Sequence, residues 1–598
     1  MTEIFGSLAR RRIIFMVMLG FGILVVFQLF NMQIFQHMAY DEKSQTNSVK
    51  GIEQDPPRGI FYDRNHKVLV SNKPTFSLEI TPSMYDKNLT EMIEKIIHED
   101  SGYVSTVLKK NRRFSLYQPR KIKRDVDFNF VAWYEENQSR LPGVGYSVDM
   151  QRDYSYGVKG SHIFGYIKEI SARQLQEDKD FYSLGDYVGQ KGIEKSYETI
   201  LRGEKGLDYF LVDSKQKTIG EYRDGKQNVK AVKGNDLILT LDLETQKIAE
   251  KLFEGKKGSI IAVEPSTGEI LSYVSAPDYD LNAFTAVTSE NVLNSLRQDE
   301  SKPLFNRPIM SIIPPGSTSK MLLVLAALEE GVITEDTKLY CGGSYQYGNR
   351  SWKCHGGVHG NITARQAIEG SCNTFFYQLI LKLGFEKWTE YYKKFGFGKK
   401  TSIDIGGEYR GILPDDKYYV KRYGKNWPKG LLLNLSIGQG ELSVTPIQLA
   451  QYVSLIANSG TTKQPHFLKG YIDQETHQMV EAPVKEIKVD IKKKNFDIVK
   501  EGMFDVVQGE HGTAKWYRIP GINIGGKTGT VQNPHGEDHA LFVAFAPYEN
   551  PEIAVVVMVE NVGFGSTHAA PIARDVIRTY LENKNGKDKT IASNVSEN

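Results

Sequence analysis

A long apolar run opens the chain: from Ile13 to Ile34 the polar interruptions are Gln28, Asn31 and Gln33. A run of that length predicts a helix able to cross a bilayer. Arg10, Arg11 and Arg12 precede it and acidic residues follow, so the positive-inside rule places residues 1–12 in the cytoplasm and the rest outside. No small-residue cleavage site follows at the expected place, which favours an uncleaved anchor over 13–35 against a removed signal peptide.

Past the anchor the period changes. Apolar stretches on either side of Asp63 to Lys67 predict a hairpin with Asn65 in its turn. Residues 75–230 mix short strands with helical pieces such as Leu89 to His98, and nothing there groups acids, bases or nucleophiles. Gly234-Asn235-Asp236 introduces a strand at Leu237 to Leu241 and then a helix from about Glu244 to Phe253. Ser259 to Val263 and Ile270 to Val274 flank a turn and read as a second hairpin. Far downstream, Ile522 to Thr530, Ala540 to Ala546 and Ile553 to Val559 follow one another through short loops, which forces antiparallel neighbours. A helix from about Ala569 to Glu582 and a polar, frayed tail over 583–598 close the chain. Two strands early, three late and helical sequence between them predict an α+β fold: a five-stranded antiparallel sheet flanked by helices, with a helical insertion.

Length and charge narrow the function. At 598 residues the chain exceeds one ordinary core, so two domains are expected outside the anchor. A net charge of +3 lacks the basic excess that phosphate neutralisation demands, so nucleic acid is not an expected partner. Three cysteines, an odd number, sit together at Cys341, Cys354 and Cys372, so at least one cannot pair within the chain.

Three short strings carry the candidate chemistry. Ser317-Thr318-Ser319-Lys320 precedes an apolar helix, Met321 to Leu328, that Gly331 stops. Positions three apart share a helix face, so Lys320 should lie against Ser317, dry enough to stay uncharged and act as its base. A second match to the same spacing, Ser214-Lys215-Gln216-Lys217, lies among lysines and reads as chance. Ser371-Cys372-Asn373 interrupts two helical stretches, placing a hydroxyl and an amide at a cleft, where Ser371 could relay a proton and Asn373 hold a peptide bond; capping of the second helix is the structural alternative. Lys527-Thr528-Gly529-Thr530 follows two glycines on a strand, so Lys527 and Gly529 face one side and Thr528 and Thr530 the other. The missing side chain at Gly529 is expected to admit a substrate backbone, and the amides of Ser317 and Thr530 form the natural oxyanion pair.

Cys341, Cys354, His359 and Cys372 are separated by twelve, four and twelve residues and supply four ligands for a tetrahedral zinc. His355 is a rival ligand, and buried thiols or one disulfide with a free thiol are the alternatives.

These strings, with Pro57-Arg58-Gly59, Asp63-Arg64-Asn65, Gly192-Ile193-Glu194, Leu201-Arg202-Gly203, Asn306-Arg307, Gly438-Gln439-Gly440 and Thr445-Pro446, resemble the class B penicillin-binding proteins, the monofunctional D,D-transpeptidases. Cys372 to Tyr377 and the cysteines before it are most similar to the elongation branch. The resemblance implies a pedestal (dimerisation-type) domain over 36–230 and a penicillin-binding domain over 231–582. It implies that Ser317 attacks the penultimate D-alanine of a peptidoglycan stem peptide, that Lys527, Thr528 and Thr530 hold the terminal carboxylate, and that the acyl group passes to an amine on a neighbouring stem. It also implies β-lactam inhibition, a possible D,D-carboxypeptidase side activity, structural zinc, a separate membrane glycan polymerase as partner, and a single-pass place in the inner membrane. An inactive scaffold of the wall-synthesis complex and a serine β-lactamase or sensor are the alternatives at this point.

Overall fold

The structure is a computed structural model that describes residues 8–35, 49–110, 112, 116–178, 181–183, 185–213, 218–285, 288, 290–533 and 536–596. The chance match at Ser214 to Lys217 lies outside these residues, as do residues 1–7 of the basic N-terminus. Two compact units emerge, and neither is continuous in sequence.

The first unit comprises Met1–Pro57, Thr75–Asp149 and Gly203–Lys233. Its apolar N-terminal run is helical over Leu8–Phe30 and continues through a π-helical turn, Asn31–Phe35. Over Arg10–Ile34 this helix is long and apolar enough to cross a membrane. Strands Val49–Gln54, Gly206–Val212 and Thr218–Glu221 form an antiparallel sheet. A small separate core gathers Leu78, Ile80, Ile93, Phe130 and Val144.

The second unit joins Arg58–Pro74 and Met150–Arg202 to Gly234–Asn598. The early hairpin forms as expected, and Asp63 sets its turn by accepting the amides of Asn65 and Lys67, both at 2.8 Å. The strand expected at 237–241 is Asp236–Leu239, which pairs in parallel with Phe61–Tyr62 and not with the main sheet.

That main sheet consists of β1 (Gly258–Val263), β2 (Ile270–Ala276), β3 (Gly525–Val531), β4 (His539–Ala546) and β5 (Ile553–Val559), in the antiparallel order β2-β1-β5-β4-β3. All residues of β1, β2 and β5 are buried, as unbroken apolar or small runs require of a sheet covered on both faces. The α-helices that matter below are α1 (Leu243–Leu252), α2 (Lys320–Glu329), α3 (Ala364–Glu369), α4 (Asn373–Leu383), α5 (Pro446–Ala457), α6 (Lys493–Gln508) and α7 (Ala570–Ser596). Helix α5 is buried along its whole length and starts from a Thr445–Gln448 capping box with Pro446 in the first turn. Helix α7 continues to Ser596, past the end near Glu582 that the sequence pattern suggested.

The other sequence signatures are structural joints. Arg58 and Arg152 converge on Glu194, and Arg58 also bonds Glu198, at 2.6–3.2 Å. Arg307 pairs with Glu560 at 3.0 Å, and Asn306 accepts the Tyr273 hydroxyl at 2.6 Å.

Candidate active site

Ser317 sits in a 3-10 turn, Gly316–Ser319, that runs directly into α2. Gly316 has φ 56° and donates its amide to the Gly438 carbonyl at 2.8 Å; a Cβ there would lie 3.0 Å from the Thr530 carbonyl oxygen. The turn is therefore wedged between the Gly438 loop and β3. Buried tyrosines lock it: Tyr392 donates to the Ser319 carbonyl at 3.0 Å and Tyr452 to the Thr318 carbonyl at 3.1 Å.

Lys320 is wholly buried, and its amine goes elsewhere than the sequence spacing suggested. It donates to the Ser371 carbonyl (2.9 Å), the Ser371 hydroxyl (3.2 Å) and Asn373 Oδ1 (2.6 Å), while Ser317 Oγ has no hydrogen bond among the described residues. The i, i+3 relation does place both residues on one turn, but the Ser371 loop supplies the acceptors. Burial lowers the Lys320 ammonium to a pKa of about 7, against a smaller upward pull from Cys372 and Cys354.

Ser371 and Asn373 do not cap α4. Cys372 takes the cap position without a side-chain bond, which frees its two neighbours to face Lys320. Ser371 has φ 53°, a strained conformation for a side chain of this kind. Helix α3 before it begins at a Thr363–Gln366 capping box, close to the stretch expected from Thr363.

On β3 the expected alternation holds. Thr528 and Thr530 line the cleft with Gln532 beyond them, whereas Lys527 and Gly529 point into the protein. Lys527 is fully buried and donates only to the Thr528 carbonyl (3.2 Å) among the described residues; burial, and then Lys320, push its pKa well down. The expectation for Gly529 needs correction. A Cβ there would meet Thr318 Cγ2 at 2.9 Å and Leu541 Cβ at 3.2 Å, so the glycine makes room for the Ser317 turn behind the strand, on the face away from substrate.

Together these elements surround a cleft of about 240 Å³ that Ser317, Ser371, Asn373, Thr528 and Thr530 all line. Sequence reasoning missed other lining residues: Thr513, whose hydroxyl is 2.9 Å from that of Thr528, and Gln532, Asp538, Phe564 and Ser566. Gln532 was within reach, because it continues the two-residue period of Thr528 and Thr530. A larger hollow of about 1020 Å³, beside α1 and the end of β2, shares no lining residue with this cleft.

Directly behind the Ser371 loop lie the cysteines. Ligand atoms of Cys341, Cys354, His359 and Cys372 all fall within 4.8 Å of one another. His359 Nδ1 is 3.4 Å from Cys341 Sγ and 3.6 Å from Cys354 Sγ, and the Cys354 and Cys372 sulfurs are 3.6 Å apart. The thiols are unpaired, so the disulfide alternative is not formed. Tetrahedral zinc with bonds of about 2.0–2.3 Å needs ligand separations of roughly 3.5–3.8 Å, which these three distances match, with the other separations no longer than 4.8 Å. The Cys372–Cys354 hydrogen bond pulls the Cys354 thiol down and pushes that of Cys372 up. His355, the rival ligand, lines the substrate cleft instead; burial, then Lys320 and Lys527, keep its pKa low.

The cleft unites a serine hydroxyl, a buried amine and a lysine-bearing edge strand, and comparison with known proteins identifies what such a cleft belongs to. Residues 258–578 match the penicillin-binding protein transpeptidase domain, and residues 53–239 match the penicillin-binding protein dimerisation domain. The chain belongs to the penicillin-binding protein transpeptidases. It is 30% identical to the peptidoglycan D,D-transpeptidase MrdA of Escherichia coli K12 across 95% of this chain and 93% of that one. The Acinetobacter baumannii MrdA is 31% identical, covering 92% of this chain and 84% of the relative. Among solved structures, the penicillin-binding protein PBP2 of Helicobacter pylori in complex with MreC superposes with a TM-score of 0.79 at 30% identity, over 89% of this chain and 99% of that one. Pseudomonas aeruginosa PBP2 in complex with WCK 5153 gives 0.68 at 30% identity, over 89% and 97%. The chain is accordingly a peptidoglycan D,D-transpeptidase with a mixed α+β fold.

Proposed function

We propose that Ser317 is the nucleophile of this transpeptidation and Lys320 its base. The observation that carries this reading is the buried Lys320 amine, lowered to about 7, which forms no ion pair among the described residues and is tied to Ser371 and Asn373. Near neutral pH a large share of it is uncharged and can take a proton. Ser317 Oγ attacks the carbonyl of the penultimate D-alanine and its proton passes to Lys320, while the oxyanion rests between the Ser317 and Thr530 amides. The hydrogen bond between Ser317 and Lys320 forms as substrate seats, since catalytic hydrogen bonds commonly tighten only then. The C–N bond breaks, and Ser371, in contact with Lys320, returns the proton to the amine of the departing D-alanine. An amine on a neighbouring stem peptide then attacks the acyl-enzyme, its proton goes to Lys320, and Ser317 regains its hydrogen. Thr528 and Thr530 hold the donor carboxylate, whose charge would favour the protonated form of Lys527 beside them, and Asn373 holds the donor peptide bond.

Cys341, Cys354, His359 and Cys372 would hold zinc. Four protein ligands leave no open position, so the metal would supply a structural cross-link and no Lewis-acid chemistry. Because Cys372 lies between Ser371 and Asn373, that link would pin the catalytic loop. Metal analysis should find about one zinc per chain, with chelation lowering Tm and activity; zinc-free purified protein, or full activity after chelation, contradicts it.

The N-terminal helix would anchor the chain in the inner membrane with residues 36–582 outside, the pedestal over 36–230 and the catalytic domain over 231–582. The partners would be a membrane glycan polymerase and other elongation-complex proteins, in keeping with the MreC complex of the Helicobacter pylori relative. Intact-protein mass after exposure to penicillin tests the central assignment: a stable adduct on the wild type and none on Ser317→Ala is expected, and an equal adduct on both overturns it.

A further inference from the structure

The charges of the cleft are unevenly placed. Its two amines, Lys320 and Lys527, are buried and bond Asn373 Oδ1 and the Thr528 carbonyl. Among the described lining residues the one carboxylate is Asp538, in the turn after β3. Register sets its position, because Val531 pairs with His539 and the next step along the ladder puts Gln532 opposite Asp538. Its backbone carbonyl accepts the amides of Val562 (3.0 Å) and Gly563 (2.8 Å), and its Oδ1 accepts the Asn533 amide at 3.2 Å. These bonds hold the carboxylate in place, and among the described residues no donor reaches Oδ2.

Strand β3 is the edge of the sheet, and Thr528, Thr530 and Gln532 are its successive cleft-facing positions. On the reading above, the donor carboxylate lies at the Thr528 and Thr530 hydroxyls and the scissile carbonyl at the Thr530 amide. Earlier donor residues must then continue along the edge toward Gln532, at about 3.3 Å per residue. The side chain before the D-alanine pair thus comes to the end of the cleft where Asp538 sits. Each stem peptide serves as acceptor through an amine, and donors are stems of the same kind, so the donor carries an amine as well.

We propose that Asp538 determines donor specificity by binding the side-chain ammonium of the residue that precedes the D-alanine pair. The cleft then offers threonine hydroxyls to the donor carboxylate at one end and an anion to the donor ammonium at the other. This inference rests on the assignment of Ser317 and β3 given above.

The test uses the full chain in detergent, without acceptor, and two synthetic donors ending in D-Ala-D-Ala. One carries lysine before the pair and the other Nε-acetyl-lysine, and release of terminal D-alanine gives kcat/KM. The wild type should prefer the lysine donor about fivefold, the upper end for an exposed charge pair, with the preference shrinking in high salt. Asp538→Asn should erase that preference by slowing the lysine donor, and Asp538→Glu should restore most of it. No preference in the wild type, a preference that survives in Asp538→Asn, or an equal loss with both donors overturns the proposal. Intact mass separates the two failures. Wild-type adducts on Ser317 with no charge preference sink Asp538 alone, whereas no Ser317 adduct from either donor or from penicillin sinks both.

Discussion

Two places in the second unit bury charge, and they treat it in opposite ways. Around Arg58, both guanidiniums face carboxylates: Glu194 receives Arg58 and Arg152, and Glu198 receives Arg58 and the Gly189 amide. Burial alone would raise the Glu194 pKa, but Arg152 and Arg58 more than offset it and hold the carboxyl below its usual range. In the cleft, Lys320 and Lys527 are equally buried, yet neither forms an ion pair among the described residues, and both are pushed down. A compensated buried charge joins segments distant in sequence. Left uncompensated, the Lys320 amine is brought by desolvation to about 7, the property that the proposed base requires near neutral pH. Both contrasts make stability rise with pH, in different windows. The Glu194 contribution is complete above its ordinary value of 4.5 and is lost as acid protonates it, whereas the unfolded chain binds the extra proton of Lys320 between about 7 and 10.5.

Breaking each region should expose that difference. Lys320→Met should slow penicillin acylation by about 10³–10⁴-fold while changing Tm by no more than a few degrees, because relief of an unpaired buried amine offsets the hydrogen bonds lost from Ser371 and Asn373. Stopped-flow acylation and thermal melts measure the two together, and a large fall in Tm would make Lys320 a structural cation. Glu194→Gln should do the reverse, costing about 3–5 kcal/mol in urea melts with acylation per folded molecule unchanged. If acylation fell without a loss of stability, that network would belong to the catalytic machinery. Ser371→Gly sharpens the contrast within the cleft. It removes the hydroxyl on Lys320 but relaxes the positive φ, so acylation should slow about tenfold or more while stability changes by about 1 kcal/mol or less. Stability loss without a rate effect would assign Ser371 to packing.

The main sheet was readable in sequence because β1, β2, β4 and β5 are unbroken apolar or small runs bounded by turn residues, and such runs have little choice but burial in a sheet. The three motif strings could be found, and the structure gathers them around one cleft, but their contacts could not be read. Spacing puts Lys320 beside Ser317; only the path of the 371–373 loop decides that its amine goes to Ser371 and Asn373. Local pattern says equally little about which of two neighbouring histidines turns to the cysteines, and His359 does so while His355 faces the cleft. Gly529 looked like an opening for substrate because Thr318 behind it is 211 positions away in the chain. The discontinuous unit was illegible for the same reason: Arg58 and Arg152 tie Arg58–Pro74 to Met150–Arg202 through Glu194, and Arg64–Glu264 and Tyr197–Asp404 tie the two segments to Gly234–Asn598, partners that no periodicity links.

The central claim is that a dry, carboxylate-free amine at Lys320 is the base. The pH dependence of the second-order rate of penicillin acylation, measured by intact mass from pH 5 to 10, tests it most directly. The rate should climb as the ammonium loses its proton, with a midpoint at about 7 and a plateau above it. A flat profile, or a midpoint near the ordinary lysine value of 10.5, would contradict the account.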